Sequence, residues 1–331
     1  MKTAVVILNW NGRKLLEEFL PSVVLHSKSE AEIFVIDNAS TDDSISFLKS
    51  SFPEIKIIQN PENKGYAGGY NQGLKHIEAD IFVLLNSDVE VTANWLIPVL
   101  KEFKNNTNLA AAQPKILDYK NKEYFEYAGA AGGFIDKYGY PYCRGRIFNT
   151  IEKDEGQYDG VTEIFWASGA CFFVRGTHFW EAGGFDEDYF AHQEEIDLCW
   201  RFYNMNLNVV CVGDSKVYHL GGGTLDNLSP KKTFLNFRNS LFNLQKHVPS
   251  GNLFTTIFIR MLLDGLAGIN FLVTFKLNHF ISIIKAHFSF YFNLSKTAKK
   301  RNKLLKKKKF YTTNSIVFTY FAKKIKLFNE L

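Results

Sequence analysis

The chain opens with TAVVILN (3–9), an unbroken apolar run rich in β-branched residues, the pattern of a strand buried on both faces. Asn11-Gly12 ends the run, and RKLLEEFLPSVVLH behind it spaces its apolar positions as a helix does. The pattern then recurs. EIFVIDN (32–38), EIKIIQN (54–60) and DIFVLLNSD (80–88) read as strands, with Ser40 to Lys49 and YAGGYNQGLKHIEA (66–79) as helices between them. Four such alternations predict an α/β fold on a parallel sheet. After residue 105 the period loosens. LAAAQPKIL (109–117) and EIFWASGACFFVR (163–175) predict short strands, hence a mixed second half of the sheet.

Open α/β sheets bind ligands beyond the carboxyl ends of their strands. Those ends here carry Asn9, Asn11, Asp37, Asn38, Asn60, Asn86 and Asp88. Singly, each is ordinary turn chemistry. As a set they predict a lined cleft. Asp88 either caps the helix that follows or holds a divalent cation, for which one or two carboxylates suffice when substrate phosphates supply the other oxygens. His219 follows a further β-type run and precedes Gly221–Gly223, where backbone can approach a ligand closely.

FAHQEEIDLCWR (190–201) sets Glu194, Glu195 and Asp197 among apolar residues. Asp197 and Arg201 are four apart and pair on a helix. Glu194 shares their face, while Glu195 points elsewhere. An acid at a helix start also satisfies the helix dipole. The functional reading makes Glu195 a general base projecting into the cleft.

Charge divides the chain. The 331 residues carry a net +5, yet residues 276–331 hold 14 Lys and Arg against one acid. A basic extension on an acidic body selects a polyanion. Its lysines alternate with Phe, Tyr and Ile, as in helices that lie on anionic membranes, so the expected partner is a lipid surface and not nucleic acid. The composition shifts near residue 250, which predicts a domain over 1–249 and a helical extension over 250–331. No run reaches the ~18–20 apolar residues that span a bilayer; LAGINFLVTF (266–275) is too short, with Arg260 and Asp264 just before it. The four cysteines form no CxxC pair, which fits a reducing, cytoplasmic setting and disfavours a thiolate metal site.

With these motifs in order, the chain resembles glycosyltransferase family 2 with its GT-A fold, and is similar to the rhamnosyltransferase-like bacterial members that build cell-surface polysaccharides. The segments that carry the resemblance are VVILNWNG (5–12), VIDNASTDDS (35–44), NKGYAGGYNQG (63–73), LLNSDVE (84–90), FWASGACFFVR (165–175), GGFDEDYFAHQEEIDLCWR (183–201), VYHLGGG (217–223) and FRNSLFNL (237–244). The resemblance implies an inverting transfer from a nucleotide-diphosphate sugar to a saccharide or lipid-linked hydroxyl, assisted by Mg²⁺ or Mn²⁺, at the inner face of the cytoplasmic membrane. By the same resemblance, Leu8, Asn9, Asn11, Gly12, Asp37 and Asn38 would hold the donor's base and ribose. Lys64, Gly65, Asn71, Asn86 and Ser87 would complete the donor pocket, and Arg238 would add positive charge. Trp166, Ser168, Gly169 and Asp197 would meet the acceptor. Asp88 and His219 would hold the metal, and Glu194 with Glu195 would be the catalytic pair. Two positions depart from the family pattern: Asn86 stands for the first acid of D-x-D, and Glu195 stands where aspartate is usual. A nucleotidyltransferase, the alternative, requires a glycine-rich basic loop after the first strand, where this chain has NWNGRK. A catalytically inactive family member is the other alternative.

Overall fold

The computed structural model describes residues 1–221, 229–301, 306–307 and 309–331. Gly222 and Gly223 of the glycine run lie outside the described residues. The leading alternation folds as its pattern requires, through β1 (Thr3–Asn9), α1 (Arg13–Ser27), β2 (Glu32–Asp37), α2 (Ser44–Ser51), β3 (Lys56–Gln59), α3 (Gly65–Leu74) and β4 (Ile81–Leu85). β1 is parallel to β2 on one side and β4 on the other, and β2 is parallel to β3. Alternate residues of β1 enter opposite cores: Ala4 and Val6 pack beneath one face, Val5 and Ile7 beneath the other. This two-sided burial is why the strand reads as an unbroken apolar run.

The second half mixes directions. β5 (Val89–Val91) and α4 (Leu96–Asn105) lead into β6 (Leu109–Asp118). A small antiparallel sheet follows, made of β7 (Gly133–Ile135), β8 (Pro141–Cys143), β9 (Arg146–Ile147) and β10 (Thr150–Ile151). The segment predicted over 163–175 divides into β11 (Val161–Glu163) and β12 (Cys171–Arg175), with a loop between. After α5 (Gly176–Glu181) and α6 (Glu194–Asn204), β13 (Asn208–His219) closes the main sheet. Its order is β3-β2-β1-β4-β12-β6-β13-β11. The chain leaves β1 toward β3 and returns to β4 on the other side of β1, so a switch point lies between β1 and β4.

The region from residue 230 is helical: α7 (Pro230–His247), α8 (Ser250–Val273), α9 (Leu277–Phe292), α10 (Leu294–Arg301) and α11 (Ile316–Phe321). It packs tightly on the sheet domain. The Phe310 ring lies 4.6 Å from that of Trp200. The Ile316 amide donates to the Asp136 carboxylate at 2.9 Å, and the Tyr142 hydroxyl bonds the Thr312 and Thr313 hydroxyls at 2.9 and 3.0 Å. All four cysteines are buried and unbonded.

α8 corrects one sequence expectation. It is 24 residues long and, by length and composition alone, apolar enough to cross a membrane. Reading Arg260 and Asp264 as interruptions missed this. The helix absorbs both charges because they pair at 2.7 Å and lie buried on one stripe with Thr256 and Gly268. Tyr140 and His287 also bond Asp264. The opposite stripe is bare: Phe254 is 82% exposed, and Phe258, Leu262 and Leu266 are exposed beside it. α9 continues the bare surface through Ile281, Ile284, Phe288 and Phe292.

α6 is fixed from behind by Asp197, whose side chain is wholly buried. One carboxylate oxygen lies 2.8 Å from Arg201; the other lies 2.5 Å from Lys246 and 2.8 Å from His247. Burial alone would raise this carboxyl, but Lys246 and Arg201 outweigh it and hold it well below the usual carboxylate range. Asp197→Asn would leave the buried Arg201 without its counter-charge and Lys246 with Asp186 alone, a loss of roughly 3–5 kcal/mol. We expect a urea midpoint lowered accordingly at unchanged slope; a shift under about 1 kcal/mol would show that the network relaxes around the neutral residue.

Candidate active site

A cleft of about 1100 Å³ opens at the β1–β4 switch point. Leu8, Asn11, Gly12, Asn38 and Gly65 line one wall, with Trp10 half-exposed beside them. Asn9 and Asp37 lie one layer beneath. Asn9 donates to the Asp37 carboxylate at 3.1 Å, and Asp37 accepts from the Ser40 amide at 3.0 Å. Asn60 donates to the Asn38 side chain at 3.1 Å. The amides at these strand ends therefore brace one another, and only some reach the cleft. Asn11 takes a left-handed φ of 50° and accepts from the Thr41 amide, tying the β1 end to the β2 end.

Across the switch point, Asn86, Ser87, Asp88 and His219 line the same cleft. The Asp88 carboxylate lies 3.2 Å from His219 Nε2, and the Asn86 side chain lies 3.4 Å from the same nitrogen. His219 Nδ1 faces Glu126 at 3.3 Å. Burial would depress this imidazole, but Glu126 and Asp88 flank it and push it up to about 10. Among the described residues no cluster of three His, Cys, Asp or Glu side chains is arranged to hold a metal. The donor set nonetheless fits a hard divalent cation: one carboxylate, one imidazole and one side-chain amide converge beside an open cleft, leaving positions for phosphate oxygens. Glu126 behind His219 has the place of a carboxylate that orients a ligating imidazole. It lies in an irregular loop, where no periodicity announces it.

Glu194 and Glu195 begin α6 and line the opposite wall. Glu194 is buried and Glu195 partly so, and among the described residues one oxygen of each has no hydrogen-bond partner. Burial, then the neighbouring Glu195 charge, pushes Glu194 well above the usual range. Burial pushes Glu195 up to about 7. Backbone strain is concentrated just before the pair, with left-handed φ values at Phe190 (65°), His192 (68°) and Gln193 (73°).

α7 holds that strained turn in place. The Asn239 amide donates to the carbonyls of Tyr189, Ala191 and His192 at 2.7–3.1 Å. Arg238 donates to the carbonyls of Asp188 and Tyr189, each at 3.0 Å. On the other side the Tyr66 amide donates to the Phe190 carbonyl at 2.7 Å. Gly65 makes that approach possible, because a Cβ there would sit 2.3 Å from the same oxygen.

Four residues expected at the site stand outside the cleft. Arg238 spends its donors on the turn and does not line the cleft. Asn71 exchanges two hydrogen bonds with the backbone of Phe185 and also stands outside the cleft. Asp197 is the buried anchor behind α6 and does not line the cleft. Lys64 caps α3, pairs with Glu62 at 3.2 Å and does not line the cleft. Trp166, Ser168 and Gly169 do line it, from the loop between β11 and β12. The Ser168 hydroxyl is already committed to the Ala128 carbonyl at 2.8 Å, and the Trp166 indole to the Phe134 carbonyl at 3.0 Å. Asn239, Glu126 and the cleft-lining Tyr127 and Arg146 escaped the sequence reading.

Comparison with known proteins agrees with this geometry. Residues 4–176 match the profile described as Glycosyl transferase family 2. The chain is 24% identical over 230 residues to the N-acetylglucosaminyl-diphospho-decaprenol L-rhamnosyltransferase of Mycobacterium tuberculosis, covering 65% of this chain and 75% of that protein. Among solved structures it is similar to GalNAc-T7 with UDP, GalNAc and Mn²⁺ (TM-score 0.59, 17% identity), covering 76% of this chain and 48% of the other. It is also similar to S. aureus TarS 1–349 with UDP-GlcNAc (TM-score 0.57, 15% identity), covering 91% and 84%. The mixed sheet with its parallel leading half is the GT-A fold of those enzymes, and the chain belongs to glycosyltransferase family 2.

Proposed function

We propose that this glycosyltransferase acts with inversion and a divalent cation. It would move a sugar from a nucleotide-diphosphate donor, dTDP-rhamnose or a UDP-sugar, to a saccharide or lipid-linked hydroxyl in cell-surface polysaccharide synthesis. The observation that carries this reading is the Glu194–Glu195 pair. Two desolvated carboxylates, each with an oxygen unpartnered among the described residues, face the cleft that Asp88 and His219 enter from the other wall. Glu195 takes the proton of the acceptor hydroxyl as its oxygen attacks the anomeric carbon from the face opposite the leaving diphosphate. Glu194, still harder to ionise, holds its proton and donates a hydrogen bond to substrate. Asp88 and His219 would hold Mg²⁺ or Mn²⁺, which supplies positive charge to the leaving diphosphate. Leu8, Asn11, Gly12 and Asn38 would seat the nucleotide, and Trp166 and Gly169 would border the acceptor.

We further assign residues 250–331 as an extension that lies on an anionic membrane at the cytoplasmic face. α8 and α9 offer bare apolar stripes, and Lys276, Lys285 and Lys299 are exposed on or next to these helices. The charged stripe of α8 is consumed by packing on the sheet domain, which supports a helix lying on the bilayer over one crossing it.

Glu195→Gln keeps the shape but cannot take the proton. Turnover at saturating donor should fall roughly 10²–10⁴-fold with donor affinity intact. In the native enzyme the base is active only when ionised, so kcat should fall as pH drops through about 7. A wild-type rate in Glu195→Gln, or a rate flat across that range, would move the base elsewhere. Inactivity of the native chain with every donor would identify an inactive family member.

Asp88→Asn should abolish metal-dependent nucleotide binding, and His219→Ala should weaken it less. Calorimetry of UDP and dTDP with and without Mn²⁺ measures both, and an unchanged metal dependence in Asp88→Asn would dismiss the assignment.

Vesicle sedimentation tests the extension. Phe254, Phe258 and Phe292 are exposed, so their joint replacement by Asp should leave the fold intact and release the protein from phosphatidylserine vesicles. Binding of the native chain should weaken with salt, since each nearby basic residue contributes about 1 kcal/mol of attraction. Equal sedimentation of the two proteins would refute the docking surface.

A further inference from the structure

The acceptor half of the cleft contains a cation that the proposed chemistry leaves unused. Arg146, on β9, lines the cleft yet is only 5% exposed. Among the described residues no carboxylate lies within ion-pair distance of it. Its Nε donates to the Tyr127 carbonyl at 3.0 Å and one terminal nitrogen reaches the Cys143 sulfur at 3.4 Å. The other terminal nitrogen has no hydrogen-bond partner among the described residues. Burial keeps the Cys143 thiol protonated by raising it, so the sulfur does not supply the missing charge. The Tyr127 ring sits 4.5 Å from the guanidinium carbon and fixes its plane.

The Glu126 charge acts on this guanidinium from beyond ion-pair distance and is already shared with His219, so Arg146 is only partly compensated and an entering anion would complete its pairing. Its planar fork suits the paired oxygens of a phosphate. The second basic side chain on this wall, Arg260, is already neutralised by Asp264 at 2.7 Å. Arg260 also shows where the wall leads. It stacks 3.8 Å from the Tyr140 ring at the cleft, and the outer side of its own helix, α8, is the bare stripe with Phe254, Phe258 and Leu262. One helix thus joins the cleft to an apolar surface.

The geometry points to Arg146 as the phosphate-binding residue of an acceptor subsite, and to an acceptor whose phosphate is carried on a lipid. This rests on the transferase reading for the word acceptor, while the anion subsite itself stands on Arg146 alone. The phosphate meets the free edge of the guanidinium, and the hydrocarbon leaves along α8.

Farnesyl diphosphate, farnesol and inorganic diphosphate are the probes, titrated into the full-length protein in EDTA so that a metal-held diphosphate does not contribute. The native protein should bind farnesyl diphosphate more tightly than either of the others. Arg146→Gln should weaken that binding roughly 10- to 100-fold, the range of a lost hydrogen bond to a charged group. It should leave UDP or dTDP affinity in Mn²⁺ unchanged. Arg146→Lys keeps the charge without the fork, should weaken farnesyl diphosphate by a smaller factor, and decides the matter if the glutamine variant does not fold. Unchanged farnesyl diphosphate affinity in the folded variants overturns the proposal. So does an equal loss of nucleotide affinity, which would assign Arg146 to the donor. Inorganic diphosphate binding as tightly as farnesyl diphosphate would overturn the lipid carrier. If no nucleotide binds while farnesyl diphosphate behaves as expected, the transferase reading fails and the subsite stands.

Discussion

Asp197 carries a negative charge with none of its side chain in water, and much of the active site hangs from it. Arg201 reaches it from the same helix, and Lys246 and His247 reach it from α7. Its charge survives there because two cations compensate the lost hydration. The result is a rigid joint between α6, which begins with Glu194 and Glu195, and α7, which bears Arg238, Asn239 and Asn243. Arg201 extends the joint by donating to the carbonyls of Ala182 and Gly184 ahead of the pair.

The joint explains how a costly turn persists. Left-handed backbone at Phe190, His192 and Gln193 is unfavourable for residues with a Cβ. Asn239 and Arg238 satisfy the carbonyls that such a turn leaves without partners, and Gly65 lets α3 close on it from the other side. Strain is thereby held next to the carboxylates that face the cleft, where precise orientation has chemical value. Lys300 and Lys296 of α10 pair with Asp186 and Asp188 at the stem of the turn, so the C-terminal helices belong to the same frame.

The two walls of the cleft are tuned in opposite directions. On one wall, Asp88 and Glu126 surround His219 and favour a positive charge there, a proton that a bound cation would replace. On the other, burial opposes ionisation of Glu194 and Glu195. The proposed transfer, with a diphosphate leaving at one wall and a proton taken up at the other, would be served by that division. Desolvation by the surrounding loops and helices tunes the glutamate wall, whereas on the histidine wall Glu126 and Asp88 overcome it.

The leading strands, the parallel half of the sheet and the strand-end positions of Asn86, Asp88 and His219 were legible in the sequence. Two-sided burial writes apolar runs into strands, and loop residues follow at fixed places. The Glu194–Glu195 pair was legible too, because adjacent acids amid core residues stand out. What the linear pattern did not contain was which polar side chains reach the cleft. Asn9 and Asp37 sit beneath its floor, Asn71, Arg238 and Asp197 are occupied elsewhere, and Glu126, Asn239 and Arg146 arrive from segments with no period to mark them. Local pattern records burial and element type, because those depend on near neighbours in sequence. The direction of a side chain and its partners come from contacts between residues as far apart as Glu126 and His219, which only the folded chain brings together.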